Sequence, residues 1–276
     1  MYKEELGKFI SGKVFYAAIL AVLVLLMAGT VYVDSLTGQE YSLAEVLFSS
    51  QSSRMIKEFA LTGGEIIIGG TEGYLGLFMP VIAIMPFVQV ICTEKKNSNA
   101  RFEIMRVGKN RYVFGKFFAA LTAGGLIAAT GYLIMTIILL ARMGLGDVEA
   151  DLVIIQEHNV LYAFLINHLG FAGIVLIKQV RMFLYGTYSV AIAFAMTVMV
   201  KNKYVVLSVP YIVTYFWEKG IDRMSDDNLY ALKPVSLMYI IHKNMLFGIL
   251  FILIVTIVSV TVYRRVLESI VDCGEM

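Results

Sequence analysis

The chain is predicted to be an all-α polytopic membrane protein with six transmembrane helices, and three observations point there. Hydrophobic residues make up 59% of its 276 positions, and the mean hydropathy is +0.77. Six long apolar stretches, Val14–Val33, Tyr74–Thr93, Phe117–Ala141, Met182–Val200, Tyr204–Trp217 and Asn244–Tyr263, contain no Asp, Glu, Lys or Arg. A crossing helix needs about 20 mostly apolar residues to pass a hydrocarbon core of roughly 30 Å. Four of the stretches reach that length and Met182–Val200 is one residue short. The whole chain, 1–276, is read as a single transmembrane domain, because soluble-domain length priors do not apply to runs this apolar.

Charge sets the orientation. Segments 1–13, 94–116, 201–203 and 264–276 hold 14 Lys/Arg against 7 Asp/Glu, and the alternate segments hold 9 against 14. Basic residues near span ends are retained on the cytoplasmic side, so both termini are expected inside. Cys92 and Cys273 would then face a reducing compartment, and no structural disulfide is expected. The first apolar stretch is too long for the h-region of a signal peptide and no clear cleavage site follows, so it is read as a retained span.

In chain order, residues 1–13 place Tyr2, Leu6, Phe9 and Ile10 at helical spacing among charges, which predicts a short helix lying in the inner interface. Segment 34–73 is polar and acidic. The glycines from Gly63 to Gly76, at its end and just into the second span, imply turns or close backbone packing without the order of a phosphate-binding loop. Span two carries Pro80 and Pro86 and span five carries Pro210. Proline removes a backbone hydrogen bond, so these are candidate kinks. Gln89 reads as an interhelical hydrogen-bonding group. In segment 142–181, Leu161–Ile177 is apolar enough to cross, but Asn167 and His168 interrupt it. It is expected to pack on, or dip into, the membrane from outside. Span five covers only about 21 Å at 1.5 Å per residue, so it either extends through Ile221 or is a re-entrant half.

The chain carries no signature of chemistry of its own. Gly7–Val14 follows a phosphate-loop spacing, but Val14 stands where Ser or Thr would hold magnesium, and no strand precedes it. His158, His168 and His242 are isolated, without metal-ligand spacing. Protease motifs are missing, and no catalytic, cofactor-binding or metal-ligating residue is assigned. No nucleic-acid partner is expected. The apolar stretches also lack the intramembrane carboxylate that ion-coupled carriers use, which disfavours that class.

The segment EKKNSNARFEIMRVGKNRYVFGK, residues 94–116, is the most informative. Ala100–Val107 suits a short helix with Phe102 and Met105/Arg106 on one side, and Gly108 suits a helix stop. A Glu after span two, this amphipathic helix, a basic turn, and aromatic-x-x-Gly-Lys opening span three follow in order. Here the chain resembles the permease subunits of type-2 ATP-binding-cassette exporters. The resemblance rests on Glu94, on Phe102-Glu103-Ile104-Met105 and on Arg111-Tyr112-Val113-Phe114-Gly115-Lys116. Val200-Lys201-Asn202-Lys203 and Leu232-Lys233-Pro234-Val235-Ser236-Leu237 are also similar. Gly108-Lys109-Asn110-Arg111 departs from the family, where many members have a proline.

The resemblance implies a membrane subunit that pairs with a second permease, identical or not, in a bacterial plasma membrane. It implies a cytoplasmic coupling helix that docks on a separate ATPase subunit, which would bind ATP and magnesium. Glu94, Arg101, Phe102, Met105, Arg106, Lys109, Arg111 and Lys116 are the residues it assigns to that interface, with membrane lipid as the surrounding partner. Glu94 is expected to pair with a nearby Arg or Lys and tie the helix to span two. The competing reading is a non-transporting scaffold, or a sensor of envelope stress or peptides, with segment 34–73 as receptor.

Overall fold

The computed structural model describes residues 1–33, 38–49, 56, 61–70, 74–96, 99–146, 155, 160–200, 202–224, 232–238 and 245–272. Helix α1 (Tyr2–Ser11) runs into α2 (Lys13–Met27) through Gly12, with a 63° bend between them. Strands β1 (Thr30–Val33) and β2 (Glu40–Ser42) form an antiparallel hairpin. Two short helices follow, α3 (Leu43–Phe48) and α4 (Gly63–Gly69). Each begins with a capping box, Ser42 with Glu45 and Thr62 with Glu65, which satisfies the first free backbone N–H groups.

The long helices come next. Helices α5 (Tyr74–Ile82) and α6 (Met85–Lys96) make one span in two pieces, and α7 (Asn99–Val107) is the short helix expected after it. Helix α8 (Lys109–Met143) has 35 residues, about 52 Å at 1.5 Å per residue. The chain continues with α9 (Val160–Leu169), α10 (Phe171–Met199) and α11 (Lys203–Met224). A 3-10 turn (Pro234–Met238) and α12 (Met245–Asp272) close it.

The centre of the bundle is the α8–α10 pair. Its backbones approach so closely that a Cβ on Gly186 would lie 2.4 Å from the Gly124 carbonyl oxygen. On the other side of α8, a Cβ on Gly131 would lie 2.5 Å from a Val22 methyl of α2. Small residues at such crossings let helices gain dispersion contacts where the bilayer gives no hydrophobic drive. One aromatic group joins four helices. Phe194 of α10 meets Phe117 of α8 at 5.1 Å, Tyr263 of α12 at 4.3 Å and Phe87 of α6 at 6.3 Å between ring centres. Tyr185 donates its hydroxyl to the Gly76 carbonyl (2.6 Å) and Tyr132 to that of Ile67 (3.1 Å), which anchors the start of α5 and the last turn of α4 on the core pair.

Among the described residues, four helical segments are long and apolar enough to cross a membrane: Tyr74–Glu94, Lys109–Met143, Phe171–Met199 and Gly248–Ser269. The bent α1–α2 pair makes a fifth if counted as one. Apart from one hairpin, the described residues are those of an all-α membrane protein.

Several expectations change. The first span ends at Met27 and not at Val33, because Thr30–Val33, β-branched and aromatic, pairs with Glu40–Ser42 instead. The fourth span begins at Phe171, eleven residues before Met182, and so takes Lys178 and Arg181 inside a helix. The view that all charge stays outside the spanning helices fails there. Both side chains are buried, and Arg181 is held by hydrogen bonds rather than lipid. Leu161–Ile177 is neither one crossing nor one outer segment. It is split at Gly170, whose φ of +56° turns α9 back against α10. Helix α11 extends past Trp217 to Met224. In span two the helix breaks at Ala83–Ile84, between Pro80, inside α5, and Pro86, the second residue of α6. Pro210 lies inside α11. Gly63 shows the predicted close packing, with its Cβ position 2.5 Å from the Gly144 carbonyl oxygen.

Candidate functional site

Four helices bring five ionised side chains together at one end of the bundle. Helix α1 contributes Glu5 and Lys8, one turn apart and therefore on one face. The end of α6 contributes Glu94, α7 contributes Glu103, and the first turns of α8 contribute Lys116. Lys116 is fully buried at 0% exposure. Its ammonium pairs with Glu94, with Glu103 Oε2 at 3.0 Å and with Glu5 Oε2 at 3.5 Å. Lys8 pairs with the other oxygen of each: Glu5 Oε1 at 2.6 Å, Glu103 Oε1 at 3.3 Å and Glu94 Oε1 at 3.5 Å. Each of the three carboxylates thus bridges the same two ammonium groups, one oxygen to each.

Lys116 also lies 4.7 Å from the centre of the Tyr112 ring, a cation–π contact one turn back on α8. Burial tends to raise the Glu103 carboxyl, but hydrogen bonds and charge from Lys116 and Lys8 outweigh it and hold the group below its ordinary 4.5. Three carboxylate ligand atoms within 4.8 Å of one another have the spacing of a divalent-cation site. Here the two lysine ammonium groups take the position a cation would fill, so the cluster is an ion-paired hub. Removing either partner of a buried pair leaves an uncompensated charge, which makes the hub costly to open.

The expected interface residues divide between two faces of this hub. Glu94 and Lys116 are its core. Phe102 and Met105 point the other way, 66% and 67% exposed, while Ile104 between them is buried. Arg106 and Arg111 are exposed, and Lys109 opens α8. Arg101 falls on α7, and its side chain lies outside the described residues, as do those of Lys95 and Lys96. Gly108, with φ of +91°, separates α7 from α8 as the helix stop requires. Lys201 and Cys273 are outside the described residues.

Glu5 and Lys8 were not anticipated as hub members. The amphipathic pattern of α1 suggested a helix facing lipid, whereas Phe9 is buried in the protein and Tyr2 bonds Thr122 of α8 at 3.0 Å. Lys178 and Arg181 were also missed. Their i, i+3 spacing inside an apolar run is the local signal that both face the interior. Arg181 donates from Nε to the Leu237 carbonyl (3.0 Å), from one terminal nitrogen to the Tyr162 hydroxyl (2.8 Å), and from the other to the Ser236 carbonyl (2.6 Å). The Leu232–Leu237 motif therefore wraps a buried arginine. Its Lys233 pairs with Asp222, and its Leu232 carbonyl accepts from the Trp217 indole at 3.0 Å.

Fold and site together define a helical membrane protein with several apolar helices long enough to span, and with an ion-paired hub at one end. No protein-family model matches the chain, nor does any curated protein or solved structure.

Proposed function

We propose that this chain is the membrane-spanning subunit of an ATP-driven exporter, similar to type-2 ATP-binding-cassette permeases. In this reading it crosses a bacterial plasma membrane six times, by α2, α5–α6, α8, α10, α11 and α12. Both termini and the hub are cytoplasmic, in line with the excess of Lys and Arg in the segments at that end. It forms the translocation path with a second permease, and ATP and magnesium bind on a partner ATPase.

The observation that carries the reading is the two-faced helix α7. Its outer face offers Phe102 and Met105, two large apolar side chains exposed beside Arg106. Its inner face is fastened through Glu103 to Lys116 and Lys8. Apolar anchors with a charged rim suit a groove on a protein partner. Any displacement a partner imposes on α7 passes through Glu103 to Lys116 on α8. From there it reaches Glu94 on α6 and Glu5 on α1, because all three carboxylates share the same two lysines. Alternating access needs such a rigid link between the site of ATP closure and the spans.

The test is purification in mild detergent from the native membrane, with mass identification of stoichiometric partners. An ATPase carrying a phosphate-binding loop should co-purify. It should be lost from the Phe102→Ala/Met105→Ala variant, with the thermal unfolding of the chain unchanged. A clean preparation without an ATPase would favour the scaffold or sensor class instead.

A further inference from the structure

Away from the hub, the described residues form a second, smaller apolar cluster of Ile68, Ile155, Tyr162, Ile166, Ile174 and Ile177, distinct from the main core. It consists largely of α9 and the first turns of α10. Gly170 joins those helices with a φ of +56°, a conformation that L side chains rarely adopt. Next to it, Phe171 packs against both clusters. A Cβ on Gly173 would lie 2.7 Å from the Leu165 carbonyl oxygen, so the two arms of this hairpin touch along their backbones just beyond the turn. A small, separately packed cluster whose two arms meet at a single glycine turn has the form of a hinge between helices. Such units open locally at a lower free energy than the main core.

Arg181 stands where this unit meets the rest of the protein. It lies about 15 Å along α10 from Phe171, deep enough for its side chain to reach Tyr162 on the returning arm. Through Tyr162 it holds the small cluster, and through the Ser236 and Leu237 carbonyls it holds the 3-10 turn, whose Leu237 belongs to the main core. That turn is itself pinned to α11 by Trp217–Leu232 and Asp222–Lys233. Arg181 is 2% exposed. A buried guanidinium that donates to a hydroxyl and two backbone carbonyls of the described residues is held in one geometry, and its rigid fork cannot be copied by lysine.

We infer that α9 is a lid over the end of the bundle remote from the hub, hinged at Gly170 and latched by Arg181 to the 3-10 turn. The lid closes over α4, whose Ile68 lies in the small cluster. Opening it requires Arg181 to give up its bond to Tyr162 while the Ser236 and Leu237 bonds keep the arginine in place. Helix α9 then swings on Gly170, parting Tyr162 and Ile166 from Ile174 and Ile177 without disturbing the α8–α10 crossing. This does not depend on the exporter reading, since it concerns how one segment is fastened to the fold.

The test is hydrogen–deuterium exchange of the full chain in lipid nanodiscs, comparing wild type with Arg181→Met and Tyr162→Phe. Losing one or more charged hydrogen bonds should speed exchange in peptides covering 160–169 by about tenfold. Peptides covering 112–128 and 185–198, which hold the central crossing, should keep wild-type protection. Unchanged exchange at 160–169 in both variants would overturn the latch. So would a uniform rise across all three regions, which marks a merely structural arginine. Tyr162→Phe keeps the arginine and the ring, so it decides alone if Arg181→Met fails to fold.

Discussion

Lys116 of α8 and Glu103 of α7 are ion-paired at 3.0 Å, with the lysine wholly buried and the glutamate on the inner face of a helix whose other face is bare. Together with Ile104, which packs into the main core, this pair fastens α7 to the bundle. Neither residue is paired exclusively, since Lys116 also meets Glu5 and Glu94 and Glu103 also meets Lys8.

Lys116→Met should destabilise the chain by about 3–5 kcal/mol, the usual cost of stranding buried charge. Three carboxylates would then face one another with Lys8 as their remaining partner within the described hub. Thermal unfolding in detergent measures it. If Lys116→Met melts like wild type, the hub is not a stabilising link.

The acid side of the stability profile should depend on Glu103. Its folded carboxyl titrates below 4.5, so its contribution is fully present above that value and is lost as pH falls through the depressed one. The facing groups are Lys116, Lys8, Glu5 and Glu94. Glu103→Gln should flatten the acid arm of a plot of melting temperature against pH and leave the neutral region's slope alone. An acid arm as steep as that of wild type would assign the loss to other carboxylates.

Within α7, neighbouring residues should behave oppositely. Ile104→Ala, at a buried position, should cost about 2–4 kcal/mol. Phe102→Ala and Met105→Ala, both at exposed positions, should each stay within about 0.5 kcal/mol. Chemical unfolding of the three variants separates a helix with one docked face from one that is loosely attached.

Glycines at the central crossing should differ by what a Cβ meets. At Gly186 it meets the Gly124 backbone at 2.4 Å, and at Gly125 the edge of the Phe183 ring at 2.6 Å. A backbone cannot yield as a ring can, so Gly186→Ala should destabilise by about 1–3 kcal/mol and by more than Gly125→Ala. Equal effects would mean that the helices can separate freely there.

Much of the local architecture was legible in the residues. The apolar runs announce the long helices because a helix in lipid satisfies its own backbone, and local hydropathy is enough to see that. Gly108 announces the end of α7, and helical spacing places Phe102 and Met105 on one side of it, while the burial of Ile104 came only with the fold. The start of α10 was misread because Lys178 and Arg181 looked like membrane-boundary charges. Only knowledge of the carbonyls at Ser236 and Leu237 and the hydroxyl of Tyr162 makes an arginine acceptable inside that helix.

By itself the sequence determined which stretches form apolar helices, that α7 stops at Gly108, and that residues 94–116 hold a dense set of charges around a short helix. It could not determine which charges meet. Lys8 and Glu103 are 95 residues apart, and Lys116 and Glu94 are 22 apart. Periodicity reports only the face on which a residue sits, whereas an ion pair depends on which two faces the folded bundle brings together. Only the tertiary structure decided that the N-terminal helix turns Glu5 inward, that three carboxylates share two lysines, and that Arg181 joins two separately packed cores.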